Sequence, residues 1–206
     1  MSTKAPVFEK IYRDYLKQVN RIDLEPRLER LGVYMDENEV VIPFYGALYR
    51  ISASGIRDPF DRQPAHAVSV LLFRYLILCP DTPPSADNWV SYKDFKDAAP
   101  FVGGFVNTAE RPIARDFSGQ LGALEQACKA IGGRDPGREL SYDLAMRLDP
   151  LPRVPMLLLF NDRDEEFPAQ CSLLFERRAE EYLDMECLAM AGMALPEYLK
   201  QAPVMF

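Results

Sequence analysis

The run Asn161-Asp-Arg-Asp-Glu-Glu166 sets four carboxylates within five positions, the densest group of candidate ligands in the chain. Hard divalent cations take several oxygen ligands, and Asp162, Asp164 and Glu166 alternate so as to share one face. Crowded carboxylates also raise one another's pKa, which suits general acid–base work. Against both uses, the spacing lacks the glycine and distal glutamate of a calcium loop, and no Thr or Lys completes a phosphotransferase pattern. A solvated turn anchored by Phe167 and Pro168 is therefore the leading expectation, with a partner or ligand contact second and a metal site third. Glu176, Glu181 and Glu186 join this group only if the fold brings them close, and Arg177 and Arg178 are expected to neutralise them.

Few other residues invite chemistry. Trp89 follows a proline-rich stretch (Pro80, Pro83, Pro84) and reads as a core or groove aromatic, or as a platform for a planar ligand. Gly103-Gly104 and Gly55-Ile-Arg-Asp58 are loops that a ligand could approach, although glycines are common in plain turns. His66, the single histidine, opens an apolar helix and is expected to line the core. Cys79, Cys128, Cys171 and Cys187 match no zinc or iron–sulfur spacing and read as small buried apolar residues. There is no phosphate-binding glycine loop, no dinucleotide fingerprint, no nucleophile elbow and no zinc-protease helix motif. No catalytic residue, metal or cofactor is assigned.

Charge narrows the partners. The 206 residues carry 24 basic and 31 acidic side chains, a net of −7, and residues 161–186 alone contribute −6. Nucleic-acid modules carry a basic stripe, and anionic membranes attract positive charge, so neither partner is expected. The 48% hydrophobic and 27% charged content is that of a globular domain. The start runs straight into an amphipathic pattern, and the apolar stretch Ala67–Cys79 is too short to span a bilayer. A cytoplasmic protein with reduced thiols is the expectation.

The elements that must position these residues follow from periodicity. Val7, Phe8, Ile11, Tyr12, Tyr15, Leu16 and Val19 mark an amphipathic helix. A short helix is expected from Asp23 to Gly32. Residues 39–45 and 47–52 read as a hairpin about Gly46, with Val33-Tyr-Met before it and a loop from Ser52 to Gln63 after it. Pro43 points to an edge or a bulge. Pro64 opens the most buried helix, to residue 79. From Trp89 to Gly133 the pattern is mostly helical, broken at Gly103-Gly104 and resuming near Thr108. Strands are expected at 141–148, 154–160 and 171–175, and helix from Arg178 to Lys200. The continuous apolar run 154–160 reads as a strand buried on both faces, which puts the acidic turn between neighbouring strands.

The stretch from Pro150 through Asp-Glu-Glu-Phe-Pro168 to Leu173-Leu-Phe-Glu176, followed by Glu181-Tyr-Leu-Asp-Met-Glu186, resembles domain-of-unknown-function family 3786. Trp89-Val-Ser-Tyr-Lys-Asp-Phe95 and Ala130-Ile-Gly-Gly133 resemble further landmarks of that family. Glu176 stands where the family more often has Asp. The resemblance implies a setting in anaerobic bacteria and archaea but no established activity. Some members carry a cysteine-rich, iron–sulfur-type segment; this chain has none, so a redox role would need a separate partner.

The chain is thus expected to be one α+β domain over residues 1–206, with an antiparallel or mixed sheet of about five strands packed against several helices. As a binding or accessory module it would recognise a protein partner or small molecule through Trp89, Gly103 and the acidic-turn residues Asp162, Asp164, Glu165 and Glu166. The alternative is an enzyme with a divalent-metal or acid–base site at residues 161–166. A homodimer through Met185, Met190 and Met193, on an exposed face of the last helix, is a further expectation.

Overall fold

The computed structural model describes residues 6–85 and 88–202. Two antiparallel four-stranded sheets and a set of helices form the α+β fold. Sheet one is a meander of β1 (Tyr34–Asp36), β2 (Glu39–Phe44), β3 (Ala47–Ser52) and β4 (Gly55–Arg57). Sheet two has the order β5-β8-β7-β6, from β5 (Trp89–Ser91), β6 (Leu144–Leu151), β7 (Val154–Asn161) and β8 (Gln170–Glu176). The expected hairpin pairs Phe44 with Ala47, and β7 pairs with β8 from Met156–Phe175 to Asn161–Gln170. The run 154–160 is buried throughout, as its unbroken apolar character requires.

The strands divide between two sheets instead of forming one, and two short strands depart from the sequence reading. β4 lies within the expected loop: the Tyr12 hydroxyl accepts from Ile56 N–H at 2.8 Å, in the space a side chain at Gly55 would need. β5 lies in the expected helical region, held by pairing with β8. Such three-residue strands carry too little periodicity to be read. β2 is an interior strand, yet Pro43 is tolerated because the pairing with β1 extends no further than Val41.

Helices α1 (Pro6–Val19) and α7 (Met185–Gln201) both pack on α3 (His66–Ile77), and the short α2 (Leu28–Leu31) leads into sheet one. His66 begins α3 with its ring 4.5 Å from that of Phe8. α7 is as central as α3, burying Leu188, Ala191, Leu195 and Leu199 among others. Met185, Met190 and Met193, the expected homodimer face, are half-buried against the core.

The Gly103-Gly104 pair does not break the chain. Helix runs through it, from α4 (Ala99–Phe105) across a π-turn at Val106–Glu110 into α5 (Arg111–Asp116). Pro112 has no N–H to return to the preceding turn, and the helix widens just before it. α6 (Leu121–Ala130) then leads to the Gly132-Gly133 turn.

Because β5 covers only Leu174–Glu176 of β8, Leu173 N–H is left at an open edge, where Glu110 Oε1 accepts it at 3.0 Å. Burial pushes the Glu110 carboxyl above its usual range, against the opposing pull of that N–H and of Lys93. A raised carboxyl binds protons more tightly when folded, so its penalty is fullest at neutral pH and fades as pH falls through the raised value toward the unfolded value of about 4.3. Glu110→Gln keeps the acceptor without the charge. In urea denaturation it should match or exceed the parent at pH 7, and its advantage should shrink as the pH approaches about 4.5.

Candidate functional site

The acidic turn joins β7 to β8, as expected, but its aspartates build the turn itself. Asp162 Oδ1 accepts from Gly119 N–H at 2.6 Å and Arg163 N–H at 2.8 Å, while Asp162 N–H donates to Asp143 Oδ2 at 2.7 Å. Asp164 Oδ1 accepts from Glu166 N–H at 2.8 Å and Phe167 N–H at 2.7 Å. The bonds of Asp164 form an aspartate turn, in which the side chain stands in for a backbone carbonyl. Phe167 is 60% exposed and does not anchor the turn; the bonds of Asp162 to Gly119 and Asp143 do. Glu165 and Glu166 face solvent. Among the described residues, no three His, Cys, Asp or Glu side chains are grouped so as to hold a metal ion.

Trp89 does not join that turn. Trp89 pairs with Glu176 at the far end of β8, about 20 Å away at some 3.3 Å per residue. The Arg147 guanidinium lies 5.7 Å from the Trp89 ring centre. Glu176 is buried, 2.6 Å from Arg178 Nε and 3.6 Å from Arg147, and Asp149 holds Arg134 at 2.6 Å. The expected neutralisation of Glu176 by Arg178 is present, in contact geometry that is an ion pair and not a well-angled hydrogen bond. Gly103 is exposed on α4, with open space where a Cβ would stand. Trp89 and the acidic turn, expected to share one recognition surface, therefore lie at opposite ends of β8.

The structure instead brings together residues scattered from position 45 to position 202. A cavity of about 370 Å³ opens between the β2–β3 turn, the loop after β4 and the end of α7. Tyr45, Tyr49, Phe60 and Tyr198 supply aromatic walls, and Ile131 lies opposite the turn. Tyr45 and Gly46 both have positive φ, +48° and +76°, in a two-residue hairpin turn. A tyrosine is uncommon there; its buried hydroxyl donates to Ala191 carbonyl at 2.7 Å and its N–H to Pro150 carbonyl at 3.1 Å, tying sheet one to α7 and sheet two. Gly46 passes so close to the Ile131 carbonyl that a Cβ would crowd it at 3.2 Å.

The polar groups of the cavity converge. The Tyr49 and Tyr198 hydroxyls share a hydrogen bond at 2.7 Å. Burial pushes the Tyr49 phenol up; burial and the bond from Tyr49 push Tyr198 higher; Asp58 adds to both. Asp58 ties the 58–62 loop to itself: Oδ1 accepts from Phe60 N–H and Arg62 N–H, each at 2.9 Å, and Oδ2 takes the Arg62 guanidinium at 3.1 Å. Burial opposes its ionisation, but those donors outweigh it and hold the carboxyl below its usual range. Phe60 stands at the rim, 74% exposed, with the Arg62 guanidinium 4.8 Å from its ring centre. A concave aromatic site with a few convergent polar groups is the common form of a small-molecule pocket.

Covalent chemistry finds no support in the thiols. Burial raises all four, Cys128 to about 12, so none is an activated nucleophile. A larger, shallower groove of about 560 Å³ lies at the start of α7, where the carboxylate of Asp184 is already engaged by Cys187 N–H and Arg74.

A family model described as Domain of unknown function (DUF3786) matches residues 23–197, most of the chain. The chain belongs to this family. No curated protein and no solved structure matches the chain. The matched span of this DUF3786 chain includes both sheets and the Tyr45, Tyr49, Asp58 and Phe60 walls of the cavity, and stops one residue before Tyr198. Among the described residues of the DUF3786 chain, no helix is long and apolar enough to cross a membrane. Sequence reasoning singled out Gly55-Ile-Arg-Asp58 as a loop that a ligand could approach, and that loop leads into the cavity. The tyrosines it took as strand and helix residues, because their spacing satisfies a core as readily as a site.

Proposed function

We propose that the protein is a binding module, a cytoplasmic accessory component of anaerobic metabolism, and that its small ligand enters the tyrosine-lined cavity. The observation that carries this reading is the hydrogen-bonded pair of Tyr49 and Tyr198 hydroxyls in a concave aromatic wall, beside a carboxylate whose own bonds are complete. Such a wall binds and orients; it offers no activated nucleophile. The alternative of an enzyme using residues 161–166 is weaker, because Asp162 and Asp164 spend their Oδ1 atoms on the turn. The anaerobic and cytoplasmic setting rests on the family resemblance and on the four free cysteines.

The test is a nuclear magnetic resonance screen of the full chain against a mixed library of aromatic, aliphatic, cationic and anionic fragments. Shifts should cluster on the Tyr49, Phe60 and Tyr198 rings. A screen whose hits all map to the groove at the start of α7, or to the turn at 161–166, would overturn the assignment.

A further inference from the structure

Resting on that reading, we infer that the cavity selects a neutral, planar aromatic ligand bearing one hydrogen-bond acceptor, such as a carbonyl oxygen or ring nitrogen. Three features lead there. First, four aromatic side chains supply the walls, and Phe60 stands exposed at the rim, where a flat ring would cover it. Arg62 lies over Phe60, so the loop already supplies one stacking partner for that ring.

Second, the hydroxyl pair has one proton to spare. Whichever tyrosine donates within the 2.7 Å bond, the other keeps an unshared O–H, so the pair presents a donor and asks for an acceptor. Both phenols are held in the protonated form by their surroundings, and the donor persists across the physiological range.

Third, the charges of the cavity are matched among themselves. Asp58 is occupied by two backbone N–H groups and by Arg62, which leaves no unsatisfied counter-charge for an ionic ligand. An ion entering such a site loses hydration without gaining a partner.

Benzamide, benzoate and benzamidinium share one ring and nearly one shape but differ in charge. Each is titrated into the full-length protein, with the ring resonances of Tyr49, Phe60 and Tyr198 as the readout. Benzamide should bind at least about tenfold tighter than either ion. The double variant Tyr49→Phe/Tyr198→Phe should lose about tenfold in benzamide affinity, whereas either single variant keeps one hydroxyl donor and loses less. Circular dichroism melting of each variant confirms that it is folded. Benzoate or benzamidinium binding as tightly as benzamide, or a double variant with unchanged benzamide affinity, overturns the ligand class. If fragments of another class still map to the cavity, the inference falls and the binding-site reading stands; if no fragment maps there, both fall.

Discussion

Gly192→Val should lower stability by about 3 kcal/mol, a drop in melting temperature of roughly 6–12 °C for a domain of this size. Gly192 lies in the middle of α7, where a Cβ would overlap the Phe105 ring of α4. A flexible neighbour could give way, but Phe105 cannot. Its ring is buried, stacked on Tyr92 at 4.5 Å between centres and 6.1 Å from Phe175. The nearby Gly104 provides the contrast: among the described residues, a Cβ there would meet only the Met193 terminal methyl, at 3.3 Å, which can swing aside. Gly104→Ala should therefore be near neutral, the gain in helix propensity offsetting the crowding. Combining Gly192→Val with Phe105→Leu should cost less than the sum of the two single changes, because the smaller side chain vacates the contested space. Chemical denaturation of the four variants decides it; strict additivity would mean that α4 and α7 do not meet at these residues.

Removing one oxygen should have a comparable effect. Tyr75 is fully buried in α3, and its hydroxyl donates to Leu31 carbonyl at 2.6 Å while accepting from Arg153 N–H at 3.1 Å. One atom thus satisfies the end of α2 and the turn between β6 and β7. Tyr75→Phe keeps the ring and strands both backbone groups, a loss of about 3 kcal/mol. Hydrogen exchange localises the damage: the Arg153 amide should lose protection more than the middle of β7 does. Tyr34→Phe, at a 49% exposed position, should change neither measurement. A Tyr75→Phe variant as stable as the parent would show that water fills the vacated place.

Much of the architecture was legible. The unbroken apolar run from Val154 to Phe160 announced a buried strand, and its return partner at 171–175 is where the spacing put it. The hairpin about Gly46 and the amphipathic helix marked by Val7 to Val19 were readable from periodicity and turn chemistry. What escaped is what tertiary contacts decide. β4 is held by pairing with β3 and by the Tyr12 hydroxyl, and β5 by pairing with the edge of β8. The helix runs through Gly103-Gly104, a pair whose low local propensity argued for a break.

The site was less legible than the fold. Four neighbouring carboxylates stand out in a sequence, yet two of them are spent on holding a turn. The cavity walls come from turns and helix ends far apart along the chain, and a tyrosine in a strand looks the same whether it faces the core or a pocket. Tyr49 and Tyr198 lie 149 positions apart, which hides a 2.7 Å contact from any local pattern.

The loop from Asp58 to Arg62 is shaped by its own aspartate and closed by the bond from Asp58 N–H to the Arg62 carbonyl at 2.8 Å. Its entropy is surrendered during folding and not at the moment of encounter. Association on this side of the molecule should then be governed by diffusion and little gated by rearrangement, so that differences among visiting molecules register mainly in how long each one stays.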